Sequence, residues 1–282
     1  MTSREPAPGR PLVAGGTLVA RLRAAGCVFA EEEAALLEAE AGGDAGALEA
    51  MVRRRTAGEP LELVLGWAEL CGVRVRVTPG VFVPRRRSAL LARLAVAETP
   101  RLVVDLGCGT GALGAVVAAH APGAQVWAVD VDPAAVACAR RNLAPERVLL
   151  GDLYTPLPTH LRGQVDVLLV NAPYVPSDAV ALMPPEARDH EHLVALDGGP
   201  DGLDVQRRVV ADASSWLRPG GVLLLETSRA QASGTAALMR AAGLVPTVHE
   251  DDDIDGTAVA GCLRADKDEG RPPPTGGRPS HG

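Results

Sequence analysis

A glycine-rich turn is the clearest chemical signal in the sequence. The stretch VVDLGCGTGALG, residues 103–114, places Gly107, Gly109, Gly111 and Gly114 after an apolar strand and at the start of a helix. Glycine lets the backbone approach a ligand closely, and the free amides of a first helical turn can bind it. The last three glycines also satisfy G-x-G-x-x-G, so a nicotinamide or flavin dinucleotide is one candidate ligand.

Acidic residues at the ends of three predicted strands indicate a different ligand. Asp105 ends the first strand, Asp130 the second and Asp152 the third. A carboxylate beside the turn would repel a pyrophosphate, whereas it would attract the sulfonium and ammonium groups of S-adenosylmethionine. Asp130 is placed to accept hydrogen bonds from ribose hydroxyls, and Asp152 from the adenine amine. Taken singly, Asp105 could cap a helix and Asp152 could be a turn residue. Together they predict S-adenosyl-L-methionine as the cofactor. The other predicted cofactor contacts are Gly107, Gly109, Gly111 and Asn171.

The residues NAPY, 171–174, end the fourth predicted strand, beside the expected position of the sulfonium methyl group. Methyl transfer is an in-line displacement, so the site must orient the lone pair of the nucleophile and exclude water. The Asn171 side-chain oxygen and the Ala172 carbonyl oxygen can accept the N–H groups of a planar amide or amine. Pro173 can stiffen the turn and Tyr174 can stack on the planar group. We predict these four residues as catalytic, although a simple strand-ending turn with a core tyrosine would share the pattern.

Alternating strands and helices must position these residues. From residue 101 the apolar stretches RLVVDLG, AQVWAVD, RVLLGD, VDVLLVN and GVLLLE are separated by helix-length segments. This pattern predicts a parallel sheet covered on both faces, with ligands at the carboxyl ends of the strands. The predicted fold class is α/β, a class I S-adenosylmethionine-dependent methyltransferase (Rossmann-like) domain over residues 100–264. LVPTVHE and TAVAGCLR predict two further strands. Glu226, which ends GVLLLE, is predicted to be a solvated carboxylate without a catalytic role.

The rest of the chain divides by composition. Residues 15–72 contain leucines and alanines at helical spacing and are predicted to form a small helical domain that docks the substrate protein. Residues 73–99 form a predicted hairpin linker, because VRVRVTPGVFVP, residues 73–84, alternates around a Pro-Gly turn. Residues 1–14 and 265–282 are rich in proline, glycine and charge, which predicts disordered tails.

Composition excludes several classes of function. The 282 residues are 47% hydrophobic but only 2% aromatic, and the apolar runs are too short to cross a membrane. No secretory signal is apparent, so a cytoplasmic location is expected. The five cysteines lack paired spacing, which predicts neither a metal site nor a disulfide framework. The net charge of −7 disfavours stable nucleic-acid binding. The arginine triplets at 53–55 and 85–87 are expected to be solvated faces.

The chain resembles the protein-(glutamine-N5) methyltransferases that modify peptide chain release factors, which have relatives acting on a ribosomal protein. The resemblance covers residues 50–264. It is carried by the segment RRRTAGEPLELVLGWAELCGVRVRVTPGVFVPR, by DLGCGTGALG and AVDVDPAAVACARRN, by NAPYVP, and by PEARDHEHLVALDGGPDGLD with LRPGGVLLLE. In that family the asparagine and the following carbonyl hold the substrate glutamine amide, which implies these roles for Asn171 and Ala172. The implied partner is a release factor or a ribosomal protein.

Three departures from the family pattern concern the acceptor. Proline is usual where this chain has Ala172, Pro-Glu-Thr-Glu where it has residues 86–89, RRSA, and Glu-Pro where it has His192. The first change should keep the carbonyl but loosen the backbone, and the second removes acidic groups near the cofactor entrance and adds positive charge. A paralogue with another protein target is therefore an alternative. So are an adenine-N6 methyltransferase acting on nucleic acid and a non-catalytic nucleoside-binding module.

Overall fold

The computed structural model of the protein describes residues 15–180, 192, 195 and 197–265. The predicted N-terminal tail and all but the first residue of the predicted C-terminal tail lie outside the described residues. So does most of the segment PEARDHEHLVAL. Within the described ranges, the chain forms a group of helices, a short hairpin and a seven-stranded sheet flanked by helices.

Four helices form the first part of the fold. They are α1 (Gly15–Ala24), α2 (Ala30–Ala41), α3 (Ala45–Thr56) and α4 (Leu61–Leu65). Leu22, Leu37 and Val52 are fully or almost fully buried where these helices pack together. Arg55 of α3 pairs with Glu33 of α2 at 2.6 Å, and both side chains are about nine-tenths buried. The sequence predicted that the arginine triplet at 53–55 lies on a solvated face, but its third residue, Arg55, is largely buried in this ion pair. The division of the chain into domains stays a prediction.

A short hairpin follows, but not where the sequence predicted it. Its strands are β1 (Trp67–Leu70) and β2 (Val73–Arg76), paired antiparallel. The chain reverses at Cys71 and Gly72, which have φ angles of +50° and +76°. Positive φ at both turn residues is typical of the two-residue turns that join twisted strands. The chain does turn at Pro79 and Gly80, where the Val81 amide donates to the Thr78 carbonyl at 3.3 Å, but the predicted hairpin around this turn is wrong, because residues 77–84 form no hairpin strand. Part of this segment lines the cavity described below.

The sheet has the predicted strands. They are β3 (Leu102–Leu106), β4 (Gln125–Asp130), β5 (Val148–Leu150), β6 (Val165–Val170), β7 (Leu217–Glu226), β8 (Leu244–Asp251) and β9 (Gly256–Leu263). Their spatial order is β5-β4-β3-β6-β7-β9-β8. The first five are parallel, whereas β9 runs antiparallel to both of its neighbours. The two C-terminal strands predicted from the sequence are therefore confirmed.

Helices cover both faces of this sheet. They are α5 (Ala89–Ala97), α6 (Ala112–His120), α7 (Pro133–Ala139), α8 (Asp204–Trp216) and α9 (Ala232–Ala241). Successive strand residues point to opposite faces. Val103 and Leu169 accordingly pack in the cluster that includes α5 and α6, whereas Val104 and Leu168 pack with α8 and α9. This double burial explains why the central strands are apolar at almost every position.

The strand order places a crevice at the carboxyl ends of β3, β4 and β6. From β3 the chain moves to β4 and β5 on one side, then crosses to β6 on the other side. In open α/β sheets, ligands bind where the strand order reverses in this way. The glycine turn, Asp130 and Asn171 all follow strands that end at this crevice.

Asp166 connects β3, β6 and β7 at the amino ends of the strands, opposite the crevice. Its carboxylate accepts hydrogen bonds from the backbone amides of Arg101 and Leu102 at 2.9 and 2.8 Å, and it pairs with Arg218 at the start of β7. The Asp166 side chain is only 11% exposed. If it were removed, the two amides would lose their acceptor in a position that water reaches poorly.

Asp166→Ala should therefore lower the free energy of unfolding by about 1 to 3 kcal/mol in urea denaturation. The control is Asp212→Ala, which removes an exposed carboxylate from α8 and should change stability by less than about 0.5 kcal/mol. Equal effects of the two substitutions would contradict the role assigned to Asp166.

Candidate active site

A cavity of about 410 Å³ lies at the crevice. Ligand pockets in proteins commonly enclose about 300 to 1,000 Å³. Most of the residues predicted from the sequence line it, namely Gly107, Gly109, Asp130, Asp152, Asn171, Ala172, Pro173 and Tyr174. Asp105 and Gly111 do not line it. The structure therefore brings the two predicted groups, for cofactor and for nucleophile, to one site.

The glycine turn is built for close approach to a ligand. Gly107 and Gly109 have φ angles of +69° and +54°, a region that side chains other than glycine rarely adopt. A Cβ atom at Gly107 would meet nothing within 4 Å, so the space beside it is open. Gly111 has a different role, because a Cβ there would lie 2.9 Å from Leu143. The predicted contact of Gly111 with the cofactor stays a prediction.

Asp130 connects the turn to the neighbouring strand. One carboxylate oxygen accepts the Gly109 amide at 2.8 Å, and the other accepts the Asp132 amide at 2.9 Å. Burial raises the pKa of the Asp130 carboxyl, and the hydrogen bonds from these amides partly offset that rise. Each oxygen retains a lone pair, since a carboxylate can accept about four hydrogen bonds. Asp130 can therefore bind a pair of hydroxyl groups while it keeps the turn in place.

Asp105 lies beneath the turn rather than at the cavity wall. It is 1% exposed, and one carboxylate oxygen accepts the Gly114 amide in the first turn of α6 at 3.1 Å. This bond is the helix cap that the sequence left as an alternative. The other oxygen has no hydrogen-bond partner among the described residues. Burial raises the pKa of the Asp105 carboxyl to about 7, opposed by the Gly114 amide and reinforced by Asp130.

Asp152 lies at the rim of the cavity and is half exposed. Its carboxylate pairs with Arg208, which also lines the cavity. A ligand amine would therefore share this carboxylate with a guanidinium. The predicted contact with the adenine amine stays a prediction.

Asn171 presents a free acceptor to the cavity. Its side-chain nitrogen donates to Ser88 Oγ at 3.1 Å, which fixes the plane of the amide. In the described part of the chain, no donor reaches its side-chain oxygen. The next residue, Ala172, is 3% exposed and also lines the cavity. The two residues predicted to hold a nucleophile are thus adjacent at the cavity wall, and the hydrogen bond to Ser88 orients the first of them.

Tyr174 is held from two sides. Gln231 donates its side-chain amide to the Tyr174 carbonyl at 2.9 Å, and the Tyr174 hydroxyl donates to Glu226 at 3.3 Å. Burial, followed by the nearby Glu226 carboxylate, raises the pKa of the Tyr174 hydroxyl above its ordinary value. The hydroxyl therefore stays protonated at neutral pH and acts as a donor.

Two expectations from the sequence are wrong at this site. Glu226 is 2% exposed and is not a solvated carboxylate. Arg87, from the second arginine triplet, lines the cavity and pairs with Glu226 at 3.3 Å instead of lying on a solvated face. Ser88 and Gln231 were not predicted at all. One signal could have indicated Glu226, since it ends the strand next to β6 and must lie at the same edge of the sheet as Asn171.

His192 holds the segment between β2 and α5 near the cofactor turn. Its backbone amide donates to the Gly80 carbonyl at 3.0 Å, and its ring nitrogen Nδ1 lies 2.6 Å from the Asp132 carboxylate. A Cβ atom on Gly80 would lie 2.6 Å from the His192 ring, and φ at Gly80 is +85°, so a larger residue would strain the backbone and displace the ring. Among the described residues no group of three or more histidine, cysteine or acidic side chains could hold a metal ion.

Comparison with known proteins places this site in a family. Residues 72–183 match the methyltransferase small domain family. The chain is 42% identical over 203 residues to a release factor glutamine methyltransferase of Gloeobacter violaceus, with 68% of this chain and 70% of that protein covered. It is 37% identical over 203 residues to a 4-amino-L-phenylalanine/4-methylamino-L-phenylalanine methyltransferase of Streptomyces pristinaespiralis, with 68% and 69% covered.

A solved structure supports the fold. A methyltransferase from Pyrococcus furiosus superimposes with a TM-score of 0.50 at 18% sequence identity, covering 70% of this chain and 91% of that one. The predicted fold class, a class I S-adenosylmethionine-dependent methyltransferase domain, is confirmed. The extent and level of identity to the curated relatives also confirm the family resemblance drawn from the sequence. The chain belongs to the release factor glutamine methyltransferase family.

Proposed function

We propose that the protein transfers a methyl group from S-adenosyl-L-methionine to the side-chain amide nitrogen of a glutamine in a peptide chain release factor. The observation that carries this proposal is the free side-chain oxygen of Asn171, fixed by Ser88 next to the Ala172 carbonyl. An amide nitrogen has two N–H groups, and these two oxygens can accept both. The geometry therefore suits a planar NH₂ group better than a hydroxyl or a thiol.

The residues of the cavity fit the methyl donor of this family. The open space beside Gly107 accommodates close approach of a ligand, and the remaining lone pairs of Asp130 suit ribose hydroxyls. In its ionised form the Asp105 carboxyl, with one unpartnered oxygen, supplies buried negative charge beneath the turn, which favours a cationic ligand over a phosphate. When bound, S-adenosylmethionine supplies an electrophilic methyl group on its sulfonium.

The chain's own residues would then orient the acceptor and exclude water. Asn171 and Ala172 align the nitrogen lone pair by accepting its N–H groups. The Tyr174 ring, anchored at its hydroxyl and at its carbonyl, covers the planar amide. After transfer, the nitrogen loses one proton to solvent, so no buried base is required for the reaction to balance.

Competing acceptors are distinguishable by experiment. The protein should be incubated with S-adenosylmethionine labelled in its methyl group and with purified release factors, ribosomal proteins, single-stranded DNA, transfer RNA or 4-amino-L-phenylalanine. We expect label only in a release factor, on a glutamine. Label in a ribosomal protein, on an adenine or on the aromatic amine would overturn the choice of acceptor, and failure of every acceptor would favour a non-catalytic module.

The helical N-terminal segment is proposed to dock the protein acceptor. Val28 and Phe29, between α1 and α2, are 82% and 66% exposed, and large apolar side chains at this exposure often mark a contact surface.

None of the helices in the described ranges is long and apolar enough to cross a membrane. Because release factors act on ribosomes, we propose that the protein works in the cytoplasm.

A prediction about the methyl donor concerns Asp105. Its raised pKa of about 7 means that the carboxyl gains negative charge as pH rises through neutrality. Affinity for S-adenosylmethionine should therefore increase by up to about tenfold between about pH 6 and pH 8. The amine of the ligand also titrates and contributes part of this pH dependence. Asp105→Asn should abolish the remaining part of the dependence of affinity on pH. Calorimetry that gives identical slopes for both proteins would refute it.

Asn171→Ala should lower the rate of methyl transfer by about a hundredfold or more, because it removes an acceptor that orients the nucleophile. Affinity for S-adenosylhomocysteine should stay within about threefold of wild type. Ser88→Ala, which removes the partner that fixes Asn171 but leaves the Asn171 acceptor itself in place, should show a smaller loss of rate. If binding of the product collapses in Asn171→Ala, the residue maintains the turn and the assigned role is wrong.

Phe29→Ser should raise the KM for a protein acceptor by about three- to tenfold through loss of apolar contact area. The KM for S-adenosylmethionine should not change, because Phe29 is not among the residues that line the cavity. Val245→Ser is the matched control, as Val245 is a 42% exposed apolar residue of β8. Equal KM values for the acceptor in wild type and Phe29→Ser would exclude docking at this surface.

A further inference from the structure

Glu226 is a buried carboxylate that the proposed reaction does not use. It ends β7 and is 2% exposed. One oxygen accepts the Tyr174 hydroxyl and the Nε atom of Arg87, both at 3.3 Å. The other oxygen is buried without a hydrogen-bond partner among the described residues.

Stability does not account for a carboxylate at this position. The preceding residues of β7, 222–225, are apolar and buried, so a leucine at 226 would continue the pattern. Burying a carboxylate with only one oxygen engaged is unfavourable, and an apolar residue of similar volume is often neutral or stabilising. Burial accordingly raises the pKa of the Glu226 carboxyl, which Ser88, Arg87 and Tyr174 partly offset.

The groups that contact Glu226 line the cavity that is proposed to hold the acceptor. Arg87, Ser88 and Tyr174 line the cavity, whereas Glu226 does not. The Arg87 guanidinium also lies 5.7 Å from the centre of the Tyr174 ring, within the range of a cation–π contact. Glu226 thus stands behind the cavity wall and contacts the side chains that form it.

We propose that Glu226 is a positioning residue for methyl transfer, which acts by holding the Tyr174 ring and the Arg87 guanidinium in the wall that covers the acceptor group. This inference rests on the proposed function, since the acceptor group is the planar amide that Tyr174 covers. A ring fixed before the acceptor arrives loses no further freedom on binding.

The charge of residue 87 matters for this arrangement. The resembled family has glutamate at this position, and a second carboxylate there would repel the buried Glu226. Arginine instead neutralises Glu226 and contacts the same ring. Arg87 and Glu226 are therefore expected to work as one unit in this chain, and replacing either should release Tyr174.

The first arm of the test compares stability with catalysis. Glu226→Leu should keep or raise the melting temperature, because it removes a poorly solvated charge, while Arg87 remains 40% exposed and can reach water. The kcat on the release factor should fall by about tenfold or more. Tyr174→Phe should cause a similar loss of kcat. The kcat of the double variant should be no more than about threefold below that of the less active single variant.

Matched measurements separate positioning from general damage. Glu226→Gln, which keeps an acceptor but not the charge, should fall between wild type and Glu226→Leu. Glu98→Gln, at an exposed carboxylate after α5, should leave kcat unchanged. Affinity for S-adenosylhomocysteine should stay within about threefold in both single variants of Glu226, because Glu226 does not line the cavity. Unchanged kcat in Glu226→Leu, or a loss that follows a lower melting temperature, would overturn the proposal.

The second arm needs no acceptor. The chain has two tyrosines, so protein labelled with ¹³C at the tyrosine ζ carbon should give two NMR signals. Tyr154→Phe assigns them, since Tyr154 bonds to the Val209 carbonyl in the core. Glu226→Leu and Arg87→Met should each shift and broaden the Tyr174 signal and leave the Tyr154 signal unchanged. An unchanged Tyr174 signal overturns the inference, even if every acceptor fails and the proposed function with it.

Discussion

The hydrogen bond from the Gly109 amide to the Asp130 carboxylate, 2.8 Å long, holds the site together. It joins the turn after β3 to the end of β4, and the second oxygen of Asp130 holds the backbone that leads into α7. Because β6 lies on the other side of β3, the same arrangement fixes where Asn171 stands relative to the turn. The parallel sheet, which is buried on both faces, thereby fixes the positions of the loops that hold the site residues.

The site is divided between two kinds of interaction. On the cofactor side, backbone amides and carboxylates dominate, and the φ angles of the glycines allow the chain to turn tightly there. On the acceptor side, side chains from distant segments meet: Ser88 orients Asn171, and Arg87 and Glu226 hold Tyr174. The first group suits a ligand shared by many enzymes, whereas we propose that the second determines what is methylated. The departures of this chain from its family, at Ala172 and Arg87, fall in the second group.

The parts of the site that were predictable from the sequence depend on local order. Glycines after a strand, an acid at the end of the next strand and NAPY at the end of a third are each visible in a short window. Glu226 and Arg87 were misjudged because they are 139 residues apart, and only the packing of β7 beside β6 brings them together. The hairpin was misplaced because alternation continues past Arg76, whereas the reversal depends on left-handed backbone at Cys71. Asp105 was predicted from its charge, but its depth beneath the turn depends on how α6 packs.

A crystal structure with S-adenosylhomocysteine and a glutamine-containing fragment of a release factor would test the central claim most directly. We predict that the glutamine side-chain nitrogen lies within hydrogen-bond distance of both the Asn171 side-chain oxygen and the Ala172 carbonyl, with the Tyr174 ring over the amide. A glutamine bound elsewhere, or an Asn171 side chain turned away to contact only the cofactor, would contradict the account.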